Sequence, residues 1–208
     1  MHASESAPGD AWPVDMSITI QDVDSLIFLL FVRSAWGIVS VGVPDLEFEP
    51  AVGSSRRPPS VGPVIAEQQW RVDWDRAWQP FSPRRTGIHS PDPETQRMLD
   101  TLSDEELWVA TSGVPSDLWD EGVDRDALWE WQQALEGGIH RLPLEEHPER
   151  QSLPALIDAW RTGLTTVIEL PFAGYYADRL DQERLLVSMH TRRDRALYSR
   201  ALRTAIPI

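Results

Sequence analysis

The sequence predicts an α+β fold in which a mostly antiparallel sheet is packed by helices on one face. Segments with the composition of strands recur near 38–43, 69–75, 164–170, 174–180 and 183–189. Apolar residues spaced three and four positions apart predict helices around these segments. The last third of the chain is its most regular part, with the order helix, three strands, helix. These observations together favour the α+β class.

The 208-residue chain has the length of one domain, which we place at 16–208. Residues 1–15 are polar and show no apolar period, so they are predicted to form a mobile N-terminal arm. The pattern is helical from about residue 22 to 35, with apolar residues on both faces, and we therefore expect this helix to be central. The β-branched run 38–43 follows and is predicted to be a strand that Pro44 ends.

The most apolar stretch, 26–43, is long enough to raise the question of a membrane helix. Arg33 lies near its middle, Gly37 interrupts it, and its second half has the composition of a strand, so we expect no membrane insertion. Residues 1–21 contain no Lys or Arg and therefore lack the positive start of a signal peptide. The chain has no cysteine, which fits a reducing compartment, and we expect the protein to be cytoplasmic.

Two proline-rich segments, 44–66 and 79–92, are predicted to be long loops. Between them, Trp70, Val72 and Trp74 alternate with charged residues, which is the period of a half-buried strand over 69–75. Asp73 and Asp75 would then share a strand face as paired carboxylates. Because Arg71 and Arg76 lie within four residues of these aspartates in the sequence, surface ion pairs are the preferred interpretation of the two carboxylates.

Residues 93–136 are predicted to form an acidic helical insert. From 92 to 136 there are 13 acidic residues against Arg97 and Arg125, a net of −11 out of −14 for the whole chain. Helices are expected over 93–102 and 103–110, with a short turn over 116–121. The clearest helix runs from 124 to 136, with Asp124 as its cap and Gly137 as its end. Its apolar stripe contains Trp131 but not Trp129, so Trp129 is expected to be exposed or to face a partner.

The last third has a helix after Ser152, with Leu153, Leu156, Ile157 and Trp160 on one face, and Gly163 ends it. Three strands are expected next, at 164–170, 174–180 and 183–189. Thr191 and Asp194 resemble a capping box for a final helix over 192–203.

The acidic insert also contains four tryptophans, so it differs from a simple solvating tail. An acidic folded surface favours a basic protein partner, and we predict a non-enzymatic binding protein that occupies a basic site. A toxin-neutralising immunity protein is its most concrete form. Direct nucleic-acid binding is disfavoured by the sign of the net charge. The predicted partner-binding residues are Asp104, Glu105, Trp108, Asp117, Trp119, Asp120, Glu121, Asp124 and Trp129.

Two alternatives stay open. One is a small enzyme or ligand-binding domain with a pocket near Tyr175, Arg179 and His190; the other is an accessory component of a larger assembly. No cofactor is expected, because the chain has no G-x-G-x-x-G, no Walker motif and no G-x-S-x-G. His140 and His147 lie seven apart in a proline-containing loop, which is a poor spacing for a metal site. Purified protein should therefore hold no zinc, nucleotide or flavin.

Overall fold

The structure is a computed structural model that describes residues 12–81, 117–119, 121–137 and 142–205. The chain divides into two compact units. Unit 1 comprises the residues up to 23, residues 43–49 and the chain from 129 onward, and unit 2 comprises 24–42 and 50–128. Most of the predicted N-terminal arm and the predicted helices at 93–102 and 103–110 lie outside the described residues. A single domain over 16–208 stays a prediction.

Unit 1 contains a four-stranded mixed sheet. Its strands are β1 (Thr19–Asp22), β2 (Thr166–Leu170), β3 (Ala177–Arg179) and β4 (Arg184–Ser188), in the order β1-β2-β4-β3. β2 pairs in parallel with both β1 and β4, and only β3 pairs antiparallel, with β4. The register places Asp22 of β1 opposite Glu169 of β2. The α+β class is therefore confirmed, whereas the prediction of a mostly antiparallel sheet is wrong.

The parallel pairing has a signature in the burial of β2 and β4. Four consecutive residues are buried in each strand, so both strand faces are covered. Strands of this kind appear as continuous apolar runs without alternation, as parallel strands usually do. The register alone cannot be deduced from such a run, because alternation is the pattern that assigns a strand face.

Four helices of unit 1 accompany this sheet. They are α4 (Pro148–Gln151), α5 (Leu153–Arg161), α6 (Met189–Arg193) and α7 (Arg195–Ala201). Leu156 of α5 and Tyr198 of α7 have no exposed surface and join Val167, Leu185 and Val187 of the strands in one core. The predicted helix after Ser152 and the three strands predicted at 164–170, 174–180 and 183–189 are confirmed in outline.

The predicted final helix over 192–203 is instead two short helices with two caps. The Ser188 hydroxyl accepts a hydrogen bond from the Thr191 amide at 3.0 Å and caps α6. The Asp194 carboxylate accepts from the amides of Ala196 and Leu197 at 2.8 and 2.9 Å and caps α7. The predicted Thr191–Asp194 capping box is therefore wrong, because Asp194 is extended and separates the helices.

Unit 2 is built on α1 (Asp24–Trp36) and α2 (Pro63–Trp78). α1 is buried on both of its faces, in agreement with the predicted central helix. The indole N–H of Trp70 on α2 donates to the Leu29 carbonyl of α1 at 2.7 Å and ties the two helices together. Among the described residues, no helix is long and apolar enough to cross a membrane.

Two predicted strands are not strands. Residues 69–75 belong to α2, where Trp70 and Trp74, four residues apart, stack with their ring centroids at 4.9 Å. Their spacing of four fits a helix as well as a strand, and the half-exposed Val72 does not share their face. Residues 38–43 form irregular turns after Gly37, whose φ of +64° ends α1, and Val41 is exposed. The predicted 44–66 loop ends at Gly62, because Pro63 begins α2.

Candidate functional site

The helix predicted at 124–136 is α3 (Arg125–Glu136), and both of its ends are fixed by hydrogen bonds. Asp124 precedes its first turn, and its Oδ1 accepts from the Ala127 amide at 3.1 Å. Its Oδ2 accepts from the amide and hydroxyl of Ser54, each at 2.9 Å. At the other end, the Arg193 guanidinium donates to the Leu135 carbonyl at 2.6 Å. Both ends of α3 therefore have hydrogen-bonding partners from distant parts of the chain.

Asp124 is confirmed as the helix cap, and its carboxylate is occupied within the chain. Hydrogen bonds from the Ser54 amide, and further ones from the Ala127 amide and the Ser54 hydroxyl, lower the pKa of Asp124 to about 2. The group is therefore ionised at neutral pH and adds to the acidic field. Its hydrogen-bonding capacity, however, is used to hold the 53–55 turn against the start of α3.

The side chains of α3 separate into an inner and an outer face. The inner face is buried and consists of Ala127, Leu128, Trp131 and Leu135. We define the α3 outer face by the exposed residues Trp129, Glu130, Gln133 and Glu136. Trp129 is 61% exposed, as its position off the apolar stripe predicted. Gln133 and Glu136 follow Trp129 by four and seven residues and share its side of the helix, whereas Glu130 lies about 100° around the helix from Trp129.

The electrostatics of this face do not favour the isolated helix. Glu136 lies in the last turn, where the helix dipole disfavours a negative charge, and α3 has no basic residue of its own there, although the Arg193 guanidinium binds the Leu135 carbonyl at this end. Glu130 follows Asp126 by four residues, a spacing at which like charges repel by roughly 0.2 to 0.5 kcal/mol. Arg125, the single basic residue of α3, places its guanidinium over the Phe28 ring at 5.3 Å. The α3 outer face therefore presents two carboxylates beside an exposed indole.

The other predicted partner-binding residues fall in three groups. Asp104, Glu105, Trp108 and Asp120 lie outside the described residues. Glu121 is exposed just before α3, and Asp117 begins a 3-10 turn that ends at Trp119. Trp119 has no exposed surface and is a core residue of unit 2. We therefore leave Trp119 out of the candidate surface.

The burial of Trp119 follows from a polar contact that its sequence neighbourhood does not reveal. Its indole N–H donates to Oδ2 of Asp73 at 2.8 Å, and Asp73 is itself fully buried. Asp73 Oδ1 accepts a hydrogen bond from the side-chain amide of Gln69 at 3.2 Å and lies 3.5 Å from the Arg76 guanidinium. Asp73 and Asp75 do not share a strand face, because both lie on α2 and Asp75 is exposed. Of the ion pairs preferred for them, Asp73–Arg76 is present, although Asp73 is buried and not on the surface.

The alternative pocket residues contact different groups. The Arg200 guanidinium lies 4.6 Å from the centroid of the half-exposed Tyr175 ring. Arg179 is buried, which lowers its pKa, and donates to the carbonyls of Asp181 and Gln182.

The third of these residues, His190, places Nδ1 3.2 Å from Oε1 of Glu47. These contacts account for Tyr175, Arg179 and His190 individually and do not join the three residues in one site.

The two histidines whose spacing is poor for a metal site, His140 and His147, can be compared with the structure only in part, because His140 lies outside the described residues. His147 Nε2 lies 3.1 Å from the Leu142 carbonyl oxygen. Within the described part of the chain, no group of three or more His, Asp or Glu side chains has an arrangement that could hold a metal ion.

A second polar cluster, in unit 1, was missed by sequence reasoning. Arg192 of α6 donates from Nε and Nη2 to the two oxygens of Glu149, at 2.8 and 3.2 Å. It also donates from Nη1 to Oε2 of Glu169 at 2.7 Å. The Tyr198 hydroxyl lies 3.4 Å from Glu149 Oε1. The sequence signal that could have revealed this cluster is Glu169, a glutamate inside the otherwise apolar run of β2.

Comparison with protein-family models, with curated proteins and with solved structures found no match to this chain. A function can therefore be inferred only from the α3 outer face and from the chemistry of the other described residues.

Proposed function

We propose that this protein is a non-enzymatic binding protein that places the α3 outer face in a basic site on a protein partner. The observation that carries the proposal is the exposed Trp129 indole beside Glu130 and Glu136 on a helix fixed at both ends. A large aromatic side chain that the fold leaves uncovered is the residue type most often found as an interface anchor. A toxin-neutralising immunity protein remains the most concrete case, since toxins that act on nucleic acid have basic clefts.

The chemistry of the face favours one kind of partner. The two carboxylates favour Arg or Lys side chains, and the indole favours an apolar recess or a guanidinium stacked on its ring. A basic neighbour would also relieve the like-charge spacing of Asp126 and Glu130 and the unfavourable position of Glu136. One helix face is smaller than the roughly 800 Å² per partner of a typical specific interface. Further exposed surface must therefore contribute to the interface.

The test begins with the partner recovered by affinity purification from the host organism and then purified by itself. Trp129→Ala should weaken its affinity by about 30-fold or more, the effect of losing a hot-spot aromatic, while the melting temperature changes little. Phe48→Ala is the matched control, because Phe48 is 62% exposed and lies off α3. Equal losses for Trp129→Ala and Phe48→Ala, or no loss for either, would remove the proposed anchor.

The charges are tested separately from the indole. Glu130→Gln with Glu136→Gln should slow association and flatten its dependence on salt, because long-range attraction acts on the encounter rate. Glu145→Gln with Glu146→Gln makes the same change in net charge at two exposed positions off α3 and should have a much smaller effect. If the two double variants associate at the same rate at low salt, net charge matters and the α3 outer face does not.

A further inference from the structure

The cluster of Glu149, Glu169 and Arg192 contains two acids and one base, and it is nearly closed to water. The exposed fractions of the three side chains are 11%, 5% and 6% respectively. With both acids ionised the cluster would carry a net charge of −1. A buried net charge of this kind is costly, and proteins commonly avoid it by protonating one of the groups.

The hydrogen bonds identify which acid is less well compensated. Glu149 receives two donors from Arg192, one to each oxygen, and the Tyr198 hydroxyl lies close to the first of these oxygens. Glu169 receives only Nη1 of Arg192, on Oε2. Its other oxygen, Oε1, is buried and has no hydrogen-bond partner among the described residues. The proton that neutralises the cluster is therefore best placed on Glu169.

The surroundings of Glu169 act in the same direction. Val167 and Val187 flank it with fully buried apolar side chains. The charged and titratable groups that act on the cluster from the neighbouring elements are Asp22 of β1, Glu149 of α4, Arg192 and Arg193 of α6, and Tyr198 of α7.

Burial raises the pKa of Glu169 from its ordinary value, and Asp22 raises it further, although Arg192 and Arg193 lower it in part. Arg192 cannot cancel the effect of burial, because its single charge is shared with Glu149. Burial also raises the pKa of the Tyr198 hydroxyl, which therefore stays neutral.

We propose that folded unit 1 holds one proton on Glu169 at pH values where an exposed glutamate has already lost it, which makes the cluster a pH-sensitive element of the fold. The stabilising contribution is fully present below the unfolded glutamate value of about 4.3 and is lost as pH rises through the higher folded value. Above that pH, Arg192 faces two ionised carboxylates, one of which has an uncompensated oxygen. The site requires no partner and is independent of the α3 outer face.

The experiment measures the equilibrium constant of urea unfolding for the full chain from pH 4 to 8. The unfolding constant of the wild type, divided by that of Glu169→Gln, should rise with pH by up to about tenfold per unit and then level off, as loss of one proton requires. Glu183→Gln is the control, because Glu183 is exposed in the same unit, and it should follow the wild type. A ratio for Glu169→Gln that is independent of pH would overturn the proposal.

A second measurement does not depend on the stability of any variant. The side-chain carboxyl carbon of Glu169, assigned through its bonds in wild-type protein, is followed by NMR over the same pH range. Its midpoint should lie above the ordinary glutamate value of about 4.3. A midpoint at or below that value would overturn the proposal, even if Glu169→Gln failed to fold.

Discussion

Replacing Trp119 with phenylalanine removes one hydrogen bond from a carboxylate that has no access to water. Asp73 and Trp119 are both fully buried, and the bond between them is 2.8 Å long. On the opposite oxygen, Asp73 is contacted by the side-chain amide of Gln69 at 3.2 Å and by the Arg76 guanidinium at 3.5 Å. The phenyl ring would therefore leave Asp73 Oδ2 without its indole donor.

The expected cost follows from these contacts. A buried acceptor that loses its donor costs about 1 to 3 kcal/mol, and more when the acceptor is charged. The phenyl ring is also smaller than the indole and would loosen the contact with Trp36, whose ring centroid lies 4.8 Å from that of Trp119. We therefore expect Trp119→Phe to lower the free energy of unfolding by roughly 2 to 4 kcal/mol, a large part of the 5 to 15 kcal/mol typical of a domain.

The assay is denaturant unfolding followed by far-UV circular dichroism, which does not depend on tryptophan fluorescence. Asp73→Asn and the double variant complete a thermodynamic cycle, and groups in direct contact should show a coupling of about 0.5 to 3 kcal/mol. Trp129→Phe makes the same chemical change at an exposed position and should alter stability by less than about 0.5 kcal/mol. If Trp119→Phe were as mild as Trp129→Phe, the indole would not be buried, and its sequence-based assignment to the partner surface would regain support.

Two further expectations concern the turn before α3. The hydrogen-bonded Asp124 has its pKa lowered to about 2, chiefly by the Ser54 amide, so its stabilising effect should be present above about pH 3.9 and fade as pH falls toward 2. The stability gap between wild type and Asp124→Ala in acid titrations should therefore shrink over that range, and a constant gap would contradict the assignment. Gly122→Ala should destabilise by more than about 1 kcal/mol, because Gly122 has a φ of +92° and its new Cβ would clash with the Arg56 carbonyl oxygen. Gly62→Ala, with open space around it and an ordinary φ, should be mild in the same thermal melts.

Local patterns were sufficient for several elements. The helix of α3 follows from the capping carboxylate of Asp124, the stripe that buries Trp131 and exposes Trp129, and the positive φ of Gly137. The central helix α1 and the strands β2 and β4 follow from apolar runs of the appropriate length. In each case the deciding interactions join residues no more than about a turn or two apart.

The helix α2 shows where a local pattern misleads. Trp70 and Trp74 satisfy the period of a strand over seven residues, and the helix is recognisable only from the wider spacing of Ala66, Trp70, Asp73 and Ala77, all of which are buried. A window of seven residues can fit both the helical and the strand period. The choice between them depends on which face of the segment packs against a neighbouring element. The partner here is α1, which contributes the Leu29 carbonyl to Trp70.

The sequence by itself determined the α+β class, the acidic charge, the capped helix α3 and the exposure of Trp129. Only the tertiary structure decided that β1, β2 and β4 run parallel, that Trp119 is a core residue, and that Glu169 shares one guanidinium with Glu149. The physical reason is separation along the chain. Trp119 contacts Asp73 across 46 positions, and Arg192 contacts Glu149 across 43. Contacts between residues so far apart produce no periodic pattern from which the pairing could be predicted.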